Sequence, residues 1–92
     1  MNGKTNSEEL STAARIARAR WRSRRGLLEL ELLLADFAAV RLPSLPGPQL
    51  AEYERLLGYD DLDMHAWLLD RVSAPADVAN IVAEIRRHLD RA

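Results

Sequence analysis

Apolar residues recur every three or four positions along this chain, and nowhere do they alternate with polar ones for long enough to predict a strand. Five helices are predicted. The first covers Glu8–Arg25, with Ser7 as its N-cap and Glu8 and Glu9 at the positive end of its dipole. Leu10, Ala14, Ala17 and Trp21 form its apolar face, and Arg15, Arg18, Arg22 and Arg25 an adjacent basic stripe. Gly26 follows where a left-handed residue would close the helix. The second helix runs from Leu27 to Arg41 with a core stripe of Leu30, Leu33, Leu34, Phe37 and Val40. Pro43, Pro46, Gly47 and Pro48 end it and predict a rigid linker poor in hydrogen bonds. The third, Gln49–Leu57, buries Leu50, Tyr53, Leu56 and Leu57 and is closed by Gly58. The fourth, Leu62–Arg71, is capped by Asp60 or Asp61 and turns Leu62, Ala66, Trp67 and Leu69 inward. The fifth starts at Pro75, ends at Arg91, and carries Val78, Ile81, Val82, Ile85 and Leu89 on one face. Short connections make neighbours antiparallel, so the expected architecture is all-α, a compact five-helix bundle. Residues 1–9 are expected to be a flexible polar N-terminus, and residues 10–92 a single helical domain.

Composition narrows the functional classes. At 92 residues and 48% apolar, the chain has room for one small core. It has no cysteine, which excludes disulfides, thiolate metal sites and cysteine catalysis. A cytoplasmic location fits, because small secreted domains usually need such staples. Met1–Glu9 lacks the apolar stretch of a signal peptide. The longest apolar cluster, Leu27–Val40, is interrupted by Glu29, Glu31 and Asp36, so membrane insertion is not expected. The net charge of −1 hides an asymmetry. Residues 1–26 hold seven cations against two acids, a balance of +5, and residues 27–92 six against twelve, a balance of −6.

Catalytic chemistry is poorly represented. Asp60, Asp61, Asp63 and His65 resemble a metal cluster by count, but His65 stands where a calcium loop needs glycine. These acids are read as capping and charging a helix start, and no metal site is expected. His88, beside Arg86, Arg87 and Arg91, is read as a solvated cation near a helix end. Ser11, Ser23, Ser44 and Ser73 fall near expected helix surfaces or ends, with no triad partners, and no glycine-rich phosphate loop exists. An enzyme is therefore not expected. Six arginines and Trp21 within residues 15–25 are the stronger lead. A basic helix could meet phosphates, but the pI of about 6.1 is low for a nucleic-acid binder. Arginine and tryptophan are enriched at protein-binding hot spots, so composition favours protein over nucleic acid.

The corner after that stretch sharpens the choice. Gly26 and Glu29 serve locally as a helix closure and a first-turn carboxylate. An exposed glycine also lets a second backbone approach closely, with Arg25 and Glu29 placed to meet complementary charges. The segment Ala17–Glu31, with Arg-Gly-x-x-Glu at Arg25, Gly26 and Glu29, resembles the SdhE/YgfY family. These are bacterial relatives of the mitochondrial succinate dehydrogenase assembly factor. A second block, Leu56–Met64 followed by Trp67 and Leu68, is similar to the family's Leu-Leu, Asp-Asp and Trp-Leu pattern. Glu31 stands where the family usually has aspartate, and Leu62 where it often has proline.

The resemblance implies a five-helix FAD assembly factor, a flavinylation chaperone. Such a factor binds the flavoprotein subunit of succinate dehydrogenase, and of fumarate reductase in a wider reading, and promotes covalent attachment of FAD. FAD is then the client's cofactor, and none is stably bound by this chain. By position, Gly26 would lie against the client with Arg25 and Glu29 in polar contact, and Arg18, Trp21 and Arg24 in support. Trp21 serves either this surface or the core. Two other readings stay open: an antitoxin-like regulatory module that binds protein, and an arginine-helix binder of nucleic acid.

Overall fold

The computed structural model describes residues 11–91 and, among them, five α-helices and no strand. They are α1 (Thr12–Arg22), α2 (Leu28–Val40), α3 (Gly47–Leu56), α4 (Asp61–Leu68) and α5 (Ala79–Arg91), with a 3-10 turn at Leu42–Ser44. The all-α five-helix expectation holds. Helix α2 is central, packing on α1, α4 and α5, while α3 packs on α1 and α5.

The period-3.6 stripes of α2 and α5 are in the core as expected. Leu30, Leu33, Leu34 and Phe37 of α2 meet Val78, Ile81, Val82 and Ile85 in one buried cluster, with Leu50, Tyr53, Leu56 and Leu57 of the α3 region. Each fully buried aliphatic side chain contributes roughly 1.5–3 kcal/mol relative to exposure. Such burial offsets chain entropy in a domain this small.

Several expectations need correction. The predicted cap Ser7, with Glu8, Glu9 and Leu10, lies outside the described residues, as does the predicted flexible stretch 1–9. The described helix starts at Thr12, where the Ser11 hydroxyl accepts the Ala14 N–H at 3.1 Å. It ends at Arg22 rather than Arg25. Its inward face is Ile16, Ala19 and Ser23, not Ala14, Ala17 and Trp21. Ser23, placed near the surface by sequence, is 2% exposed. Its hydroxyl donates to the Ala19 carbonyl at 2.8 Å and so accepts from the Tyr53 hydroxyl at 2.6 Å. Burial pushes the Tyr53 pKa up to about 12, against the lowering effects of Ser23 and the Arg25 charge.

The proline-rich connection is a packed element. Ser44 N–H and Leu45 N–H donate to Arg41 and Leu42 carbonyls, and Leu42 and Leu45 are buried. Pro48 sits in the first turn of α3, where a missing N–H costs nothing. Val40 and Leu62 are exposed rather than core, whereas Met64 and Leu68 carry the inner face of α4 with Trp67. Helix α4 stops at Leu68, and Arg71, predicted helical, has φ 61° in the left-handed region. Pro75 lies in the turn before α5, its carbonyl accepting the Val78 N–H at 3.1 Å.

Helix α5 starts under a carboxylate from another helix. Glu52 of α3, 7% exposed, accepts the Asn80 and Ile81 N–H groups at 3.0 and 3.1 Å. Those are orphan first-turn donors, so Glu52 acts as a cap supplied across the bundle. His88 is not solvated: its side chain is 12% exposed, bonds Asp36 of α2 at 2.7 Å and meets the Phe37 ring edge-on.

Candidate functional site

The corner between α1 and α2, residues 23–27, is built by long-range polar contacts. Arg25 turns inward. Its Nε donates to Asp61 Oδ1 at 2.7 Å, and its other nitrogens to the carbonyls of Arg22, Leu57 and Tyr59 at 2.9, 3.0 and 3.1 Å. One planar fork therefore ties the end of α1 to the α3–α4 connection, which a lysine could not reproduce. Two carboxylates hold the backbone: Glu31 Oε1 accepts the Arg25 N–H at 2.8 Å, and Asp61 Oδ2 the Gly26 N–H at 3.1 Å. Burial pushes the Asp61 carboxyl up, but the bonds from Arg25 and Gly26 and the Arg25 charge outweigh it, holding its pKa below the ordinary value.

Gly26 is not in the left-handed region, so the predicted helix closure by that conformation does not occur; Gly58 likewise has no positive φ. Among the described residues, a Cβ at Gly26 would meet only Asp61 Oδ2, at an ordinary 3.6 Å. Neither backbone conformation nor packing among the described residues requires glycine there. The residue is exposed and, with Arg25, Leu27, Tyr59, Asp60, Asp61 and Leu62, lines an open groove of about 620 Å³.

Glu29, by contrast, points out. Its side chain is 70% exposed and accepts from His65 Nε2 at 2.9 Å. Asp70 lies 3.7 Å from the other ring nitrogen. The hydrogen bond to Glu29 raises the His65 pKa above its usual value, with Asp70 adding to it and desolvation opposing. Asp60 caps α4 by accepting the Leu62 N–H at 3.1 Å, as the sequence reading had it. Asp60, Asp61 and His65 thus have separate tasks, and among the described residues no three such side chains gather as a metal site.

Trp21 is 67% exposed and covered by the Arg24 guanidinium, 4.7 Å from the ring centroid. Of its two readings, core or surface, the surface one holds. Arg18 is exposed on the same helix. Arg15 instead forms a two-pronged pair with Glu54 of α3, at 2.7 and 3.2 Å. The six-arginine run thus divides into structural members, Arg15 and Arg25, exposed ones, Arg18, Arg20 and Arg24, and the half-buried Arg22. The structure gathers Arg24, Gly26, Glu29 and Trp21 on or beside the outward corner and puts the Arg25 side chain behind it. Sequence reasoning missed Asp61, His65 and Tyr59 as parts of this corner. The signal available was the second family-like block, Leu56–Met64, whose Asp-Asp pair supplies the partner of Arg25 thirty-six residues away.

The family described as "Flavinator of succinate dehydrogenase" matches residues 17–89. The chain belongs to that family. The match spans both blocks and the corner they form. Among curated relatives, the FAD assembly factor SdhE of Legionella pneumophila (strain Paris) is 37% identical over 70 residues, 76% of this chain and 89% of the relative. That of Pseudomonas aeruginosa is 38% identical over 76 residues, 83% of this chain and 88% of the relative. The mitochondrial succinate dehydrogenase assembly factor 2 of Mycosarcoma maydis is 43% identical over 63 residues, 67% of this chain and 26% of the longer relative. No helix among the described residues of this flavinator-family chain is long and apolar enough to cross a membrane.

Proposed function

We propose that this chain is an FAD assembly factor that docks on the flavoprotein subunit of succinate dehydrogenase and promotes covalent attachment of FAD to it. The observation that carries the reading is the glycine at position 26. Nothing among the described residues needs it, so its missing side chain serves what lies outside. A rigid backbone tip, pinned by Arg25, Asp61 and Glu31, enters a cleft of the client at close range. Glu29 and the Arg24–Trp21 pair supply polar and aromatic contacts beside it.

The work done is preorganisation. The reacting groups, FAD and the residue that receives it, belong to the client; this chain stably binds no cofactor and acts as an accessory factor, not a catalyst. Binding energy at the corner raises the fraction of client held in an attachment-competent arrangement. Because the corner is fixed before docking, little of that energy goes into ordering it. A cytoplasmic location follows from this client reading.

Co-expression with the succinate dehydrogenase flavoprotein subunit tests it, by in-gel flavin fluorescence after denaturation. The wild-type chain should raise covalent flavin, and Gly26→Arg should not. Equal fluorescence with and without the wild-type chain would refute the reading.

A further inference from the structure

Helix α2 has a feature that its core packing does not use. At 100° per residue, Leu28, Leu32, Ala35 and Ala39 fall within about 60° of arc, directly opposite Leu30, Leu33, Leu34 and Phe37. All four are exposed, Leu28 at 70% and Leu32 at 61%. A surface helix ordinarily places charge opposite its core stripe. Here three turns of the outward face hold no polar residue, and carboxylates stand only at the flanks. Glu29 and Asp36 lie along one flank, each held by a histidine, His65 and His88.

We propose that this stripe is a second part of the docking surface, receiving an apolar ridge of the same client subunit with basic side chains along its Glu29–Asp36 side. The proposal rests on the function proposed above. Three observations choose this occupant. The stripe is continuous with the corner, because Leu28 stands between Gly26 and Glu29. Its area is small: about 16 Å long and about 10 Å wide, it covers on the order of 160 Å², against roughly 800 Å² per partner in a stable interface. It therefore extends a contact rather than forming one alone. Charge also opposes a second copy of this chain. Pairing two α2 helices antiparallel about a twofold axis between Leu32 and Ala35 sets large against small residues, but brings Glu29 of one copy beside Asp36 of the other on the same flank.

The experiment measures affinity of the purified chain for the flavoprotein subunit, with wild type, Gly26→Arg, Leu32→Glu and the milder Leu32→Ser. Expected is an affinity loss of about tenfold or more for Leu32→Glu and a smaller loss for Leu32→Ser, with thermal melts unchanged. Wild-type affinity in both Leu32 variants, while Gly26→Arg abolishes binding, would overturn the stripe and leave the corner standing. A wild-type chain that does not bind the subunit at all removes both. Wild-type self-association that Leu32→Glu abolishes, with client affinity unchanged, would show a second copy as the occupant and overturn the proposal.

Discussion

The start of α5 and the corner before α2 solve the same problem with the same device. Carboxylates meet backbone N–H groups at both: first-turn donors at α5, and the Arg25 and Gly26 donors of the turn before α2, with Glu52 and Asp61 coming from other helices and Glu31 from α2 itself. At α5, Glu52 takes two donors and disappears into the bundle at 7% exposure. At the corner, Asp61 and Glu31 take the Gly26 and Arg25 donors, yet Gly26, Leu28 and Glu29 remain in solvent. One arrangement closes a structure; the other leaves a pinned turn exposed. A rigid exposed turn beside unsatisfied apolar surface is costly to keep unless something else covers it.

Removing each device separates the two roles. Glu52→Ala leaves two N–H groups at a buried helix start without acceptors, a loss of about 2–3 kcal/mol. For a domain of this size that lowers the melting temperature by roughly 10 °C or more. Scanning calorimetry checks the magnitude. The folded fraction at low temperature should still support flavin attachment, because the Glu52 carboxylate bonds the start of α5 and not the corner.

Arg25→Lys comes next. It retains charge but cannot reach Asp61 and three carbonyls at once, so about 2 kcal/mol of stability should go. Here, unlike Glu52→Ala, activity should fall even where the protein is folded, because the tip loses its anchor. A melt and a flavin-attachment assay at the same low temperature decide whether the two regions differ as described. Gly26→Ala sharpens the contrast from the other side. Its Cβ meets nothing closer than 3.6 Å and φ is not strained, so stability should change by less than about 0.5 kcal/mol. Docking should nevertheless weaken, and Gly26→Arg should abolish it.

How much of this was legible depended on range. The stripes Leu30–Leu33–Leu34–Phe37 and Val78–Ile81–Val82–Ile85 announce their helices because each is a local periodicity with one strong face. Helix α1 offers two weak faces of alanines between arginines, and Trp21 drew the wrong one inward. Its indole is covered by Arg24 instead, a contact that hydropathy does not register. Ser23 is buried because Tyr53, thirty residues on, donates to it. Arg-Gly-x-x-Glu spans the corner, but spacing alone gave Arg25 and Glu29 equivalent outward roles. The structure holds Arg25 inside with Asp61 and leaves Glu29 out with His65. Polar partnerships across thirty or more residues are set by tertiary packing, which no local pattern carries.

His65 gives the smallest expected effect and the finest test of the corner. The hydrogen bond to Glu29, with Asp70 nearby, raises the His65 pKa in the folded chain above the ordinary value of 6.5. The protonated ring is bound more tightly in the folded state than in the unfolded one. Its stabilisation is therefore fully present below about pH 6.5 and fades as pH rises through the elevated folded pKa. The wild-type melting temperature should exceed that of His65→Gln at pH 5.5, and the gap should close at high pH. Asp61 runs the other way. Its depressed pKa gives stability that is present above the unfolded carboxyl value and lost as pH falls through the folded one, so Asp61→Asn should cost most at neutral pH and least in strong acid. Paired melts of the two variants against pH separate the outward contact from the inward one. A His65→Gln deficit that persisted unchanged to pH 9 would mean that the ring serves packing, not charge, and that no ion pair with Glu29 holds it.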